Sequence, residues 1–210
     1  ASTLIGNTLE FTLATDSLLE FACFNSQSFF TPKFSGEVPN QDLHASAQSD
    51  YLIVTHPLFL KQATELAVLH RTQDTMTVIV ATTDQVFNEF SSGAQDVSAI
   101  RDFVKMFYDR AADSSQLPKY LLLFGRGSYN LKSPSNNTNF VPAYESLNST
   151  DPTISYPSDD FYGMLDSAEG AWDITNDILD LGIGRLPVQS ISEADVVLDK
   201  IKKYTSVPGT

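Results

Sequence analysis

Short apolar runs alternate with helical patterns along most of this chain. The runs Tyr51–Thr55 and Tyr120–Phe124 are apolar almost throughout, which is typical of strands buried on both faces. Between them apolar residues recur every three or four positions, and this period predicts amphipathic helices. Because strands that alternate with helices pair in parallel through crossover connections, residues 47–210 are predicted to form an α/β fold. We expect three αβα layers around a mostly parallel sheet.

The pattern also places individual elements. Strands are predicted at residues 51–55, 76–81, 120–124, 161–165 and 181–185. The first helix follows Pro57, and its predicted apolar face consists of Phe59, Ala63, Leu66, Ala67 and His70. A short helix is predicted at residues 84–90, and Asp96 is the expected N-cap of the next one. The last helix begins at Ser192 with a sequence resembling a capping box.

The first residues have a different pattern, in which no helical period is present. Their alternating apolar residues are Leu9, Phe11, Leu13, Leu19, Phe21 and Cys23. A turn-forming stretch at residues 15–17 separates these into two sets, so a β-hairpin is predicted there. We interpret residues 1–46 as the trailing β segment of a preceding domain plus a linker, and residues 47–210 as an α/β subdomain.

Charge and composition narrow the classes of partner. With 26 acidic and 13 basic residues the net charge is −13, so nucleic acid is not an expected partner. No apolar run approaches the roughly 20 residues of a membrane-spanning helix, and no transmembrane segment is expected. The single cysteine, Cys23, excludes an internal disulfide and a cysteine-based zinc site.

Ligands of open α/β sheets gather beyond the carboxyl ends of the strands. Three predicted loops qualify: the one at His56, the one at residues 125–128 and the turn after Leu165. Since no nucleophile is evident near His56, this histidine is interpreted as a cap or a packing residue. Cys23 falls on an apolar strand face and is interpreted as a small buried hydrophobe instead of a nucleophile. No catalytic residue is therefore predicted.

The glycine-rich sequence at residues 125–127 fits neither of two enzyme motifs. A dinucleotide fingerprint needs a glycine where Asn130 stands and a helix after it, whereas Pro134 and a polar loop follow. A nucleophile elbow around Ser128 needs glycine at the positions of Arg126 and Asn130. The segment is interpreted as a tight turn, and no cofactor-binding residue is predicted.

Acidic residues crowd one later stretch of the chain. They are Asp159, Asp160, Asp166, Glu169, Asp173, Asp177 and Asp180. Clusters of oxygen ligands can hold calcium, and the alternate spacing from Asp173 to Asp177 is that of the start of a calcium loop. The glycine and the closing glutamate of such a loop are absent. Two interpretations stay open: a solvated acidic loop, and a structural calcium site with Asp159, Asp160 and Asp166 as ligands.

Several short segments together resemble the gingipain-like cysteine peptidases, in particular the sortase branch that serves the type IX secretion system. These segments are NQDLH at 40–44, DYLIVTHP at 50–57, FNEFSSG at 87–93, AIRDF at 99–103, PKYLLLFG at 118–125, SDDFYG at 158–163 and IGRLP at 183–187. The resemblance extends over roughly residues 38–204.

The resemblance implies a catalytic domain of two α/β subdomains, with the catalytic histidine and cysteine both in the second, caspase-like one. This chain corresponds to the first subdomain. It contains no His-Gly pair followed by a cysteine, so neither His56 nor Cys23 is the counterpart of a catalytic residue, and the chain alone is expected to be inactive. One departure is Arg126, because family members often have aspartate after the glycine that ends this strand.

For the parent protein, the resemblance implies a cell-surface sortase on the extracellular side of the outer membrane. Such an enzyme removes the C-terminal secretion signal of cargo proteins and attaches the cargo to anionic lipopolysaccharide. The implied partners are the second catalytic subdomain, the secretion components and the cargo signal domains.

Two alternatives remain beside this interpretation. A non-catalytic binding or scaffold module of a secretion complex would keep the fold without a downstream histidine and cysteine. A nucleotide-binding module of flavodoxin-like shape shares the strand–helix alternation, but the chain has no complete phosphate loop.

Overall fold

Residues Ala1–Pro39 and Asn40–Thr210 form two separate units. A computed structural model describes residues 2–14, 16–18, 20–22, 24, 27, 29–34, 36–130, 138–146, 150–151, 153–170 and 177–206. The predicted domain boundary between residues 46 and 47 differs from this division. Leu43 explains the difference, because its side chain is buried in a core of the second unit.

In the first unit, β1 (Ser2–Ile5) and β2 (Thr8–Phe11) pair as an antiparallel hairpin. Gly6, the first of the two loop residues, has a φ of +60°, which suits a type II′ turn and which glycine adopts without strain. The hairpin predicted around residues 15–17 is wrong, since the pairing lies earlier and residues 16–18 and 20–22 form no strand. Cys23 lies outside the described residues, so its interpretation as a buried hydrophobe stays a prediction.

In the second unit, strands alternate with helices. The strands are β3 (Tyr51–Thr55), β4 (Val78–Thr82), β5 (Tyr120–Phe124), β6 (Tyr144–Glu145), β7 (Pro157–Ser158) and β8 (Gly182–Leu186). The α-helices are α1 (Leu60–Gln73), α2 (Thr83–Phe90), α3 (Val97–Arg110) and α4 (Ile191–Ser206), with 3-10 helices at Pro57–Phe59 and Asp160–Gly163. Asp96 caps α3 as predicted, because its carboxylate accepts a hydrogen bond from the Ser98 backbone N–H at 2.8 Å.

A parallel sheet in the order β4-β3-β5-β8 is the middle layer of the second unit. Side chains alternate along each strand, so the sheet has two apolar faces. One face consists of Leu52, Val54, Leu121 and Leu123, and the other of Ile53, Leu122 and Phe124. Helices α2 and α3 cover the first face, and α1 and α4 cover the second. The predicted three-layer αβα fold is confirmed.

One predicted strand of this unit is wrong. Residues 161–165 begin within the 3-10 helix Asp160–Gly163 instead of joining the sheet. Phe161 and Tyr162 are buried in the same core as Phe103 of α3, so their apolar character reflects packing on a helix. Apolar runs of this length do not distinguish a strand from another buried segment. None of the described helices combines the length and the apolar content needed to cross a membrane.

Candidate functional site

Two of the three predicted loops meet at the carboxyl edge of the sheet. His56 follows β3 and residues 125–128 follow β5, and these two strands are neighbours in the sheet. The third loop, after Leu165, does not leave a strand, so the prediction that it belongs to this edge is wrong. Pro187, which follows β8 beside β5, takes its place.

The His56 side chain caps the turn that follows β3. Its Nδ1 accepts a hydrogen bond from the Leu58 backbone N–H at 3.1 Å, and its ring packs edge-on against Phe140 with 5.0 Å between ring centroids. Burial lowers the pKa of His56, against a weaker opposing effect of Asp84, and this favours the neutral ring that can accept the bond. The interpretation of His56 as a cap and packing residue is confirmed.

Gly125 directly follows β5 and has a conformation that leaves no room for a side chain. Its φ is +145°, and a Cβ atom would lie 3.0 Å from side-chain atoms of Phe140 and Val141. The backbone N–H of Arg126 donates to the Val188 carbonyl at 3.0 Å, and the Arg126 carbonyl accepts from the N–H groups of Phe140 at 2.9 Å and Val141 at 3.2 Å. Residues 125–128 are thus an irregular loop with a bend at Gly125 instead of the predicted tight turn, and the described residues 126–130 contain no helix, as predicted.

Arg185, on the edge strand β8, is the polar centre of this region. Its Nε and Nη2 donate to the two carboxylate oxygens of Asp159 at 2.7 and 2.6 Å. Its guanidinium also donates to the carbonyls of Gly125 at 2.8 Å, Val141 at 2.7 Å and Pro142 at 3.1 Å. Because the Arg185 side chain is only 13% exposed, these bonds form in a largely desolvated setting and fix several loops together.

Sequence reasoning missed the pair of Arg185 and Asp159. The signal that could have revealed it is a single arginine within a strand whose other residues are apolar or glycine. A charge in such a strand is buried at a cost unless a partner is present.

A cavity of about 610 Å³ opens beside this ion pair, and we call it the carboxyl-end cavity. Its lining includes Arg126, Tyr129, Glu145, Tyr156, Asp159 and Arg185. The pair of β6 and β7 contributes to one wall through Glu145 and Pro157. The volume is in the range of small-ligand sites, roughly 300–1,000 Å³. Charged and aromatic groups together suit a ligand that is partly apolar and partly ionic.

The structure separates the three predicted calcium ligands. Both oxygens of Asp159 accept from Arg185, Asp160 is exposed, and Asp166 accepts a hydrogen bond from the Tyr108 hydroxyl at 3.2 Å. Among the described residues, Asp159, Asp160 and Asp166 do not bring ligand atoms into one metal-sized group. Asp173 lies outside the described residues, so the calcium site stays a prediction.

Tyr108 of α3 holds a separate pair of carboxylates. Its hydroxyl lies 3.2 Å from both Asp166 and Asp180. Burial, followed by the charge of Asp180, raises the pKa of Tyr108 to about 12. Burial also raises the pKa of Asp180, with the nearby charges of Glu169 and Asp166 acting in the same direction.

A second acidic cluster, not predicted from the sequence, fastens the start of the second unit to α2. Asp42, His44 and Glu89 bring one ligand atom each to within 4.8 Å of one another. The Glu89 carboxylate already accepts from the Leu43 N–H at 2.7 Å, the Gln41 side chain at 2.8 Å and His44 Nδ1 at 2.7 Å. Burial raises the pKa of Glu89, but these hydrogen bonds outweigh it, and the net pKa is lowered. The cluster therefore has a structural role, because it joins the start of the second unit to α2.

Comparison with known proteins agrees with this architecture. The family model of peptidase family C25 matches residues 44–210. A search of curated proteins found no significant match. Among solved structures, the crystal structure of dimeric latent PorU from Porphyromonas gingivalis is similar to 85% of this chain, with a TM-score of 0.72 and 34% sequence identity. The chain covers 18% of that PorU chain. This chain therefore belongs to peptidase family C25, the family of gingipain-like cysteine peptidases.

Proposed function

We propose that this chain is the supporting subdomain of a cell-surface cysteine peptidase that acts as a sortase in the type IX secretion system. The observation that carries the proposal is the 34% identity to PorU over 85% of the chain, together with the C25 family match. The chain covers only 18% of the PorU chain, so the activity proposed here is that of the parent protein.

The proposed reaction is peptide cleavage with transfer. A thiolate of the parent enzyme attacks the peptide bond before the C-terminal secretion signal of a cargo protein, and the signal leaves. An amine of anionic lipopolysaccharide, or water, then resolves the acyl-enzyme. In this proposal the second catalytic subdomain supplies both the cysteine and the histidine, and the secretion components and cargo signal domains are partners of the parent.

The three histidines of this chain contact neighbouring residues of the second unit through Nδ1. His56 Nδ1 accepts from the Leu58 N–H, while His44 and His70 place Nδ1 at 2.7 Å from Glu89 and 2.6 Å from Asp74. Each of the chain's three histidines is therefore engaged in a local contact. Cys23 belongs to the first unit and all three histidines belong to the second.

The test is a cleavage assay with the 210-residue chain and a reporter peptide that carries a C-terminal secretion signal. We expect no cleavage, and no labelling of Cys23 by an irreversible inhibitor directed at catalytic thiols. The matched control is Cys23→Ala, which should behave like the unchanged chain. Cleavage that depends on a thiol and disappears in Cys23→Ala would refute the supporting role.

A binding or scaffold module is the second candidate, and the carboxyl-end cavity favours it. This cavity of about 610 Å³ has the size of a ligand site, and no histidine is in its lining. Sequencing the parent gene past Thr210 separates the two candidates. A histidine beside glycine and then a cysteine, each at a strand end, supports the sortase; the lack of both supports the binding module.

A further inference from the structure

We propose that the carboxyl-end cavity binds a peptide through an acidic side chain, and that Arg126 is the residue that recognises its carboxylate. The proposal rests on the proposed function in one respect: membership of a peptidase family makes a peptide the expected ligand. The charge and the shape of the cavity support the other parts of the proposal.

Arg126 has most of its hydrogen-bonding capacity available. The side chain is exposed at the cavity, and Nη1 donates to the neutral Gln189 side chain at 2.6 Å. Within the part of the chain that the structure describes, no carboxylate oxygen lies within 4.0 Å of its guanidinium nitrogens. A guanidinium carries five N–H donors in a planar fork that matches a carboxylate. A ligand carboxylate would therefore supply the partner that the protein does not.

The second arginine of the cavity differs from Arg126 because its guanidinium already has hydrogen-bond partners within the protein. Arg185 is paired with both oxygens of Asp159 and also donates to backbone carbonyls. It is mostly buried, so it holds the floor of the cavity in shape and has little capacity left for a ligand. Recognition of an anion thus falls to Arg126.

The walls of the cavity suit a peptide better than an isolated anion. A carboxylate would fill only a small part of the roughly 610 Å³. Tyr129, which is 88% exposed, and Tyr156, which is 42% exposed, line the cavity with Pro157 and present apolar ring surface with polar tips. Exposed tyrosines contact ligands with little loss of side-chain entropy.

Glu145 provides a second prediction, in which the expected effect on binding is opposite to that of Arg126. This half-buried residue of β6 also lines the cavity, so it repels the same carboxylate that Arg126 attracts. The chain as a whole is acidic, with a net charge of −13, and gives an acidic peptide no general attraction. Binding of an acidic peptide must therefore depend on the local charge at Arg126.

The experiment uses the 210-residue chain and an array of pentapeptides with randomised flanks. One set has glutamate fixed at the centre and the other has glutamine, and all are acetylated and amidated. We expect the glutamate set to bind and the glutamine set to bind about tenfold less, since one charge-assisted contact is lost. Arg126→Gln should weaken binding of the glutamate set about tenfold, whereas Glu145→Gln should strengthen it.

Lys200→Gln is the matched control, because it removes one positive charge at an exposed position of α4 outside the cavity lining. It should leave binding unchanged. Equal weakening by Lys200→Gln and Arg126→Gln would overturn the proposal in favour of net charge. Equal binding of the two peptide sets to the unchanged chain, or no binding of either, would overturn it without any variant.

These outcomes are distinguishable from a failure of the proposed function. The supporting role is tested by cleavage and thiol labelling, and the cavity is tested by equilibrium binding at Arg126. Thiol-dependent cleavage by this chain would refute the supporting role. The peptide preference of the cavity would still be decided by the binding experiment alone.

Discussion

The strands of the two units are exposed to very different degrees. All residues of β1 and β2 in the first unit are exposed, whereas four of the five residues of β3 in the second unit are buried. Large apolar residues of β1 and β2, such as Leu4 and Phe11, are exposed all the same, so hydrophobicity alone does not explain the difference. It comes from the layers: the parallel sheet has helices on both faces, and two strands alone cannot bury a face. Strand character and burial are therefore separate properties of a sequence.

Phenylalanine substitutions should give the largest effect that separates the two units. Phe103 is fully buried on α3, while Phe30 in the first unit is 99% exposed. We expect Phe103→Ala to lower the free energy of unfolding by about 3–5 kcal/mol, through lost burial and a cavity. Phe30→Ala should change it by less than about 0.5 kcal/mol. Urea unfolding followed by circular dichroism measures both changes in free energy. Similar losses in the two variants would contradict the difference between the units.

A somewhat smaller effect is expected from Arg185. Replacing it in Arg185→Met leaves the Asp159 carboxylate without its ion-pair partner and frees backbone carbonyls at the carboxyl edge. We expect a loss of about 3 kcal/mol in the free energy of unfolding, at the low end for a buried pair because the pair is partly exposed. The matched control is Lys33→Met, an exposed residue of the first unit, with a change below about 0.5 kcal/mol. If both variants unfold at the same urea concentration, the pair does not hold the loops.

The smallest effect is a pH dependence carried by Asp50, just before β3. Hydrogen bonds from Lys119 and then Thr77 lower the pKa of Asp50 from its ordinary 3.8 to about 2. A carboxylate with a lowered pKa in the folded state stabilises it above pH 4 and loses that contribution as the pH falls towards 2. Asp50→Asn should therefore lose about 1 kcal/mol of unfolding free energy at pH 7 and show a flatter decline between pH 5 and 2.

The control for this titration is Glu10→Gln, an exposed strand position of the first unit. Thermal unfolding at a series of pH values is the measurement. A decline as steep in Asp50→Asn as in the unchanged chain would show that the bonds of Asp50 to Lys119 and Thr77 do not carry the acid sensitivity.

The sequence predicted most of the second unit correctly, because its elements carry strong periodic signals. Examples are the apolar runs of β3 and β5 and the apolar stripe of α3. In each of them, the apolar residues that stand out in the sequence are the residues that the fold buries. The misplaced elements lack such a signal. Residues 161–165 are apolar because α3 covers them, and the hairpin of the first unit is positioned by Gly6 and not by the turn-forming residues further on.

The candidate site was only partly predictable. The rule that ligands collect at carboxyl strand ends led to residues 125–128, next to the cavity. The partner of Arg185 could not be found in this way, since Asp159 is 26 residues away in sequence and belongs to no periodic pattern. Acidic residues looked alike along the chain, whereas the structure distinguishes Asp159, which is paired with arginine, from Asp166, which is bonded to a tyrosine.

The contacts of Asp50 bear on the order in which the sheet assembles. Asp50 bonds to Thr77, 27 residues later, and to Lys119, 69 residues later, so it joins the starts of three strands. Closing the longer loop costs less than about 1 kcal/mol more than closing the shorter one, because the entropy grows only with the logarithm of length. Once β3 and β4 are paired, the addition of β5 therefore meets little extra chain entropy. The sheet extends from β3 towards β4 on one side and towards β5 on the other, and β8 is the outer partner of β5.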